Sequence, residues 1–86
     1  MSATLDRVTK AVREARTLRL MNGELLIPCA LVMRDEAVEV YAVDLHDERR
    51  FYPLSACNGA VSGDVVDRPE GWRNDWALNA VKVLAG

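Results

Sequence analysis

The chain is poor in the side chains that carry chemistry: its 86 residues hold one histidine, two cysteines and five aromatics, counted as one Phe, two Tyr and two Trp. No CxxC or HxxxH spacing pre-arranges Cys29, Cys57 or His46 as ligands, so neither a metal nor a cofactor is expected. Nothing sequential poises a thiol beside His46 or supplies an oxyanion hole. Ser55 has no nucleophile-elbow context, and the glycines are isolated turn residues rather than a phosphate cradle. No catalytic residue is assigned, and an enzyme is not expected.

Long apolar runs are missing as well. None approaches the roughly 20 residues a membrane span needs, and no secretory core follows Met1. Two cysteines without a leader fit a reducing cytoplasm, which is the expected location, with no membrane partner. Strong charge of one sign is also absent. The formal net charge is −2, so bulk electrostatics do not call for nucleic acid. The length leaves no room for a second core: residues 1–86 read as a single domain. A chain this short buries only roughly 60% of its unfolded surface, which favours association with a partner or a second copy.

What is present is a series of short apolar runs between residues 17 and 54, separated by Asn22-Gly23, Arg34-Asp35-Glu36 and His46-Asp47-Glu48. Such punctuation reads as an antiparallel meander. Asn22-Gly23 suggests a two-residue hairpin loop joining Thr17–Met21 to a strand opening at Glu24. Pro28 marks a bend or bulge in that second strand. Val38, Val40 and Ala42 alternate with Glu39, Tyr41 and Val43, a strand with one face for the core. Arg49 to Leu54 returns as the next strand, in which Phe51 and Tyr52 must face opposite sides. Ala60-Val61 and Val65-Val66 are two very short strands or an irregular loop.

Helices bracket the meander. Leu5, Val8, Val12 and Ala15 fall on one face of a 3.6-residue period, with Ser2 or Thr4 as the N-cap. Trp72, Trp76, Ala80 and Val83 recur at 4, 4 and 3, which favours a helix from Trp76 to Ala85, capped by Asn74 or Asp75. A closing strand over 80–85 competes with it. The expected core is Val8, Val12, Leu20, Leu26, Leu31, Val38, Val40, Phe51, Leu54, Trp76 and Val83.

The layout resembles two bacterial families of Sm-like or SH3-like barrels. Leu18-Arg19-Leu20-Met21-Asn22-Gly23-Glu24, Val38–Val43 and Arg50–Leu54 are similar to the hairpin and later strands of the Rof family of Rho-termination inhibitors. Val40-Tyr41-Ala42 and Arg50-Phe51-Tyr52-Pro53-Leu54 more weakly resemble the WYL ligand-sensing domain. Both resemblances span about residues 4–66 and imply an α+β fold. An N-terminal helix would pack on a strongly bent antiparallel sheet or small barrel, and a short C-terminal helix would cover an opening.

The Rof resemblance implies an acidic surface that binds a partner protein, for which Asp35, Glu36, Glu39, Asp47 and Glu48 are the candidates. Arg49, Arg50 and Tyr52 join them, because arginine beside aromatics is a contact hot-spot composition. The expected function is therefore a small regulatory protein that binds another protein, with a homodimer as a further expectation. The alternative is a nucleic-acid module. Residues 1–21 carry five basic side chains (Arg7, Lys10, Arg13, Arg16 and Arg19) against two acidic ones, and Tyr41 or Tyr52 would stack on bases.

Overall fold

The computed structural model describes residues 3–86. Helix α1 spans Ala3–Glu14 and buries Val8, Ala11 and Val12, with Leu5 packed beside them. The Ser2 cap lies outside the described residues. Thr4 stands inside the helix, where its hydroxyl donates to Asn58 Oδ1 at 2.8 Å. The helix stops at Ala15, whose φ of 55° is left-handed; its carbonyl accepts the Val66 N–H at 2.8 Å.

Six antiparallel strands follow: β1 (Arg16–Arg19), β2 (Leu25–Arg34), β3 (Ala37–Val43), β4 (Arg49–Pro53), β5 (Val61–Val65) and β6 (Lys82–Ala85). Their order is β4-β3-β2-β1-β5, with β6 also on β2. β4 and β5 do not pair, so the sheet is not closed into a barrel. The α+β class stands, and the closed alternative does not.

Strand β2 organises the molecule. One edge pairs with β3 along its length, while the other is shared: Leu25 and Leu26 pair with β1, and Leu31 to Met33 with β6. Pro28 opposes Ala42 and Ala30 opposes Tyr41, which leaves Cys29 as an extra, bulged residue. The bulge shifts the alternation. Leu26 and Leu31 enter one apolar cluster with α1, while Ile27, Cys29, Ala30 and Val32 enter a second cluster. The expected single core is thus two clusters. Phe51 and Tyr52 divide between them, as their adjacent positions require.

The turns depart from simple expectation. Leu20 N–H donates to the Glu24 carbonyl and Gly23 N–H to the Leu20 carbonyl, so the first hairpin loop has three residues, with Gly23 alone left-handed. The β3–β4 loop repeats the design through Asp44 and Glu48, with Asp47 at φ 61°. A two-residue loop does occur, at Asp35-Glu36, where both residues have positive φ. The two fragments expected around Gly63 form one strand, β5, with a register shift in its ladder to β1.

The expected C-terminal helix does not form. Trp72–Asn74 and Trp76–Ala80 are separate 3-10 turns, and β6 follows. Asp75 at φ −60°, ψ 129° is extended and interrupts any continuous helix. The β-branched Val81 and Val83 favour extended backbone, and β2 offers an edge beyond the end of β1. The competing strand reading describes this stretch. Two members of the expected core are therefore placed outside it: Trp76 is 82% exposed and Val83 48%.

Candidate functional site

The segment from Val66 to Val81 lies over the second cluster, the face of the sheet opposite α1, and buries Trp72 and Leu78 there. It is held by one carboxylate. Asp75 Oδ2 accepts from the Tyr41 hydroxyl at 2.5 Å, and Asp75 Oδ1 from Arg49 at 2.5 Å. Burial first, and then the Asp75 carboxylate, push the Tyr41 phenol up to about 12. A charged hydrogen bond of this kind outweighs a neutral one roughly twofold.

Beside the clamp, Phe51 packs on Tyr41 with ring centroids 5.0 Å apart and carries the Arg34 guanidinium 4.5 Å above its centre. Arg34 is in turn gripped by Glu39 through two hydrogen bonds of 2.6 and 3.3 Å. The result is an open hollow of about 380 Å³ lined by Tyr41, Arg49, Phe51, Asp75, Trp76 and Ala77. Trp76 stands at this hollow with most of its indole in solvent.

The eight residues expected to bind protein do not make one patch. Asp35, Glu36 and Glu39 lie at the Ala37 end of β3; Asp47, Glu48, Arg49 and Arg50 lie at its Val43 end. Seven strand residues separate the groups by about 20 Å. Glu39 is occupied by Arg34, Arg50 by Glu48 and more distantly by Asp44, and Arg49 by Asp75. Tyr52 is placed in the first cluster, 9% exposed, with its hydroxyl buried and lacking a hydrogen-bond partner among the described residues. Its ring packs with the helix side of the core, apart from the exposed residues of the expected set. Burial, with the nearby Glu24 carboxylate, pushes this phenol up to about 12.

The nucleic-acid set is also divided. Arg7, Lys10 and Arg13 project from α1 without an ion pair among the described residues, whereas Arg16 is bound to Glu14 at 2.7 Å and to the Gly63 carbonyl at 3.1 Å. Arg19 caps the Gly23 carbonyl at 3.1 Å. Tyr41, only 3% exposed and committed to Asp75, has no face free to stack on a base.

Both thiols are buried, one in each cluster. Burial pushes Cys29 up to about 11 and also raises Cys57. His46 sits exposed at the β3–β4 loop. Among the described residues no group of three or more His, Cys, Asp or Glu side chains comes together as a metal site, and no helix is long and apolar enough to cross a membrane.

The residues that sequence reasoning passed over are Asp75 and the exposed face of Trp76. The spacing of Trp72 and Trp76 was a signal, but reading it as one helical stripe put both indoles on the same buried face. No family model matches the chain, and no curated protein or solved structure matches it either.

Proposed function

We propose that the chain is a small, non-catalytic regulatory module that binds another protein through the hollow around Trp76. The observation that carries this reading is an indole 82% exposed beside a frame locked by the Tyr41–Asp75–Arg49 clamp. Tryptophan, tyrosine and arginine are the residues most enriched where binding energy concentrates. Burial raises both thiols, which favours the non-catalytic reading.

The test is quantitative affinity capture from the source cell with the wild type, Trp76→Ala, and an Arg7→Ala/Lys10→Ala/Arg13→Ala variant. A protein lost with Trp76→Ala and retained by the helix variant supports the reading. The reverse pattern sinks it. Trp76→Ala removes no core contact, so its melting temperature is expected to match the wild type.

The alternative, nucleic-acid binding by α1, rests on Arg7, Lys10 and Arg13, which form no ion pair among the described residues; Arg7 and Lys10 border a hollow shared with Asp6, Arg16 and Ser62. It ranks second because the stacking aromatics assigned to it are buried. Salt-sensitive binding of mixed RNA or DNA oligomers, abolished by the helix variant, would promote it.

A further inference from the structure

Two arginines of the tail differ from those of the sheet. Arg34, Arg49 and Arg50 each have a carboxylate partner, whereas neither Arg68 nor Arg73 forms an ion pair among the described residues. Both lie against the same indole: the Arg73 guanidinium is 4.6 Å and that of Arg68 5.3 Å from the Trp72 ring centre. Arg68 is half-buried, and its Nε is enclosed with no hydrogen-bond partner. Burial foremost, with a contribution from the Arg73 cation, holds Arg68 below the usual guanidinium range. Two cations that border one hollow, one of them half-buried with an orphaned donor, favour an anion there. Glu70 also borders the hollow of about 430 Å³ formed by residues 68–74, but it pairs with neither arginine.

From this arrangement we infer that Arg68 and Arg73, set on Trp72, form a binding site for a phosphate group. A carboxylate offers one negative charge to two cations. A phosphate carries roughly −1.5 to −2 with three acceptor oxygens, enough to satisfy both guanidiniums at once. Trp72 supplies the fixed floor, because it is 8% exposed and anchored in the second cluster. The site is separate from the Trp76 hollow and does not depend on the function proposed for it.

The experiment follows the indole N–H resonance of Trp72, in a Trp76→Phe background that leaves one indole, as inorganic phosphate is added at constant ionic strength and pH 7.5. A saturable shift with 1:1 stoichiometry is expected, weakened roughly tenfold or more by Arg73→Gln. Arg13→Gln, on the remote helix, should leave it unchanged. Arg73 is exposed, so its replacement does not threaten the fold. Absence of saturation, indifference to Arg73→Gln, or equal binding of acetate would each overturn the inference. Phenyl phosphate, titrated in parallel, separates the sources: tighter binding than the inorganic ion assigns the site to a monoester, weaker binding to free phosphate. Either order sustains the site.

Discussion

At the level of single residues, much of the unusual conformation is concentrated in turns. Asp35 and Glu36 both have positive φ, a conformation that costs a non-glycine residue roughly 1–2 kcal/mol. Asp-Gly is the preferred pair for such a loop. Glu36→Gly is therefore expected to stabilise the protein by about 0.5–1 kcal/mol after glycine's greater unfolded-state entropy is counted, read as a higher denaturation midpoint. Gly63 is the opposite case. A Cβ there would run into Thr17 Oγ1, so β1 and β5 approach closely only because the side chain is absent. Gly63→Ala should cost about 1–3 kcal/mol by overpacking, and Thr17→Ala in the same chain should recover part of that loss.

Asp44 gives the residue scale its pH dependence. The N–H groups of Glu48 and His46 donate to its Oδ1 at 3.0 and 2.8 Å, and the Glu48 bond chiefly holds its carboxyl below the ordinary value of 3.8. A group depressed in the folded state stabilises fully above its unfolded pKa, and that contribution disappears as pH falls through the folded one. Urea melts between neutral pH and pH 2 should show a loss of stability at the acidic end that is smaller in Asp44→Ala. An unchanged acid profile would remove Asp44 from this role.

Among the elements, α1 and β3 were legible because one strong period governed each. Val8 and Val12 define the helix face, and the alternating residues Val38 to Val43 all lie in β3. Boundaries elsewhere shifted where a tertiary partner decided them. The Asn22-Gly23 loop gained a residue because Leu20 pairs with Glu24. The tail could not be read from its own sequence. Its spacing of tryptophans fits a helix, yet the free stretch of β2 and the clamp on Asp75 make two turns and a strand the better solution. Of the candidate site, Arg49, Phe51 and Tyr41 were visible as a composition. Their partner Asp75 lies 26 and 34 residues away from Arg49 and Tyr41, a separation no local pattern records.

The clamp should govern the tail more than the sheet. Replacing Asp75 by Ala leaves the Tyr41 hydroxyl and Arg49 without their partner, a loss of about 1–3 kcal/mol for groups of this burial. Amide exchange in residues 66–80 is expected to speed up by at least about tenfold, while β2–β3 amides change little. Uniform acceleration across the sheet would mean that tail and sheet open together.

For the whole molecule, each strand edge is ill suited to pairing with a second copy. β4 carries Arg49, Arg50 and Pro53; β5 has a register shift and Gly63; β6 is four residues long and begins at Lys82. Charges, proline, bulges and shortness are the ordinary means of preventing edge-to-edge pairing. Sedimentation at micromolar concentration is accordingly expected to give the 9.6 kDa of one chain. A mass twice that would show that a surface other than a bare edge joins two copies. Under the proposed function it is the indole face, not backbone pairing, that meets a partner.

The bulge that seats Cys29 under the tail, with Cys57 beneath α1, places one free cysteine on each side of the sheet. An alkylating reagent can reach either sulfur only when the layer above it lifts, so the protein carries a separate clock for each half. If tail and helix detach independently, Asp75→Ala will hasten modification of Cys29 and leave Cys57 at its original pace. The order in which the two sulfurs are consumed then gives the order in which this small domain comes apart.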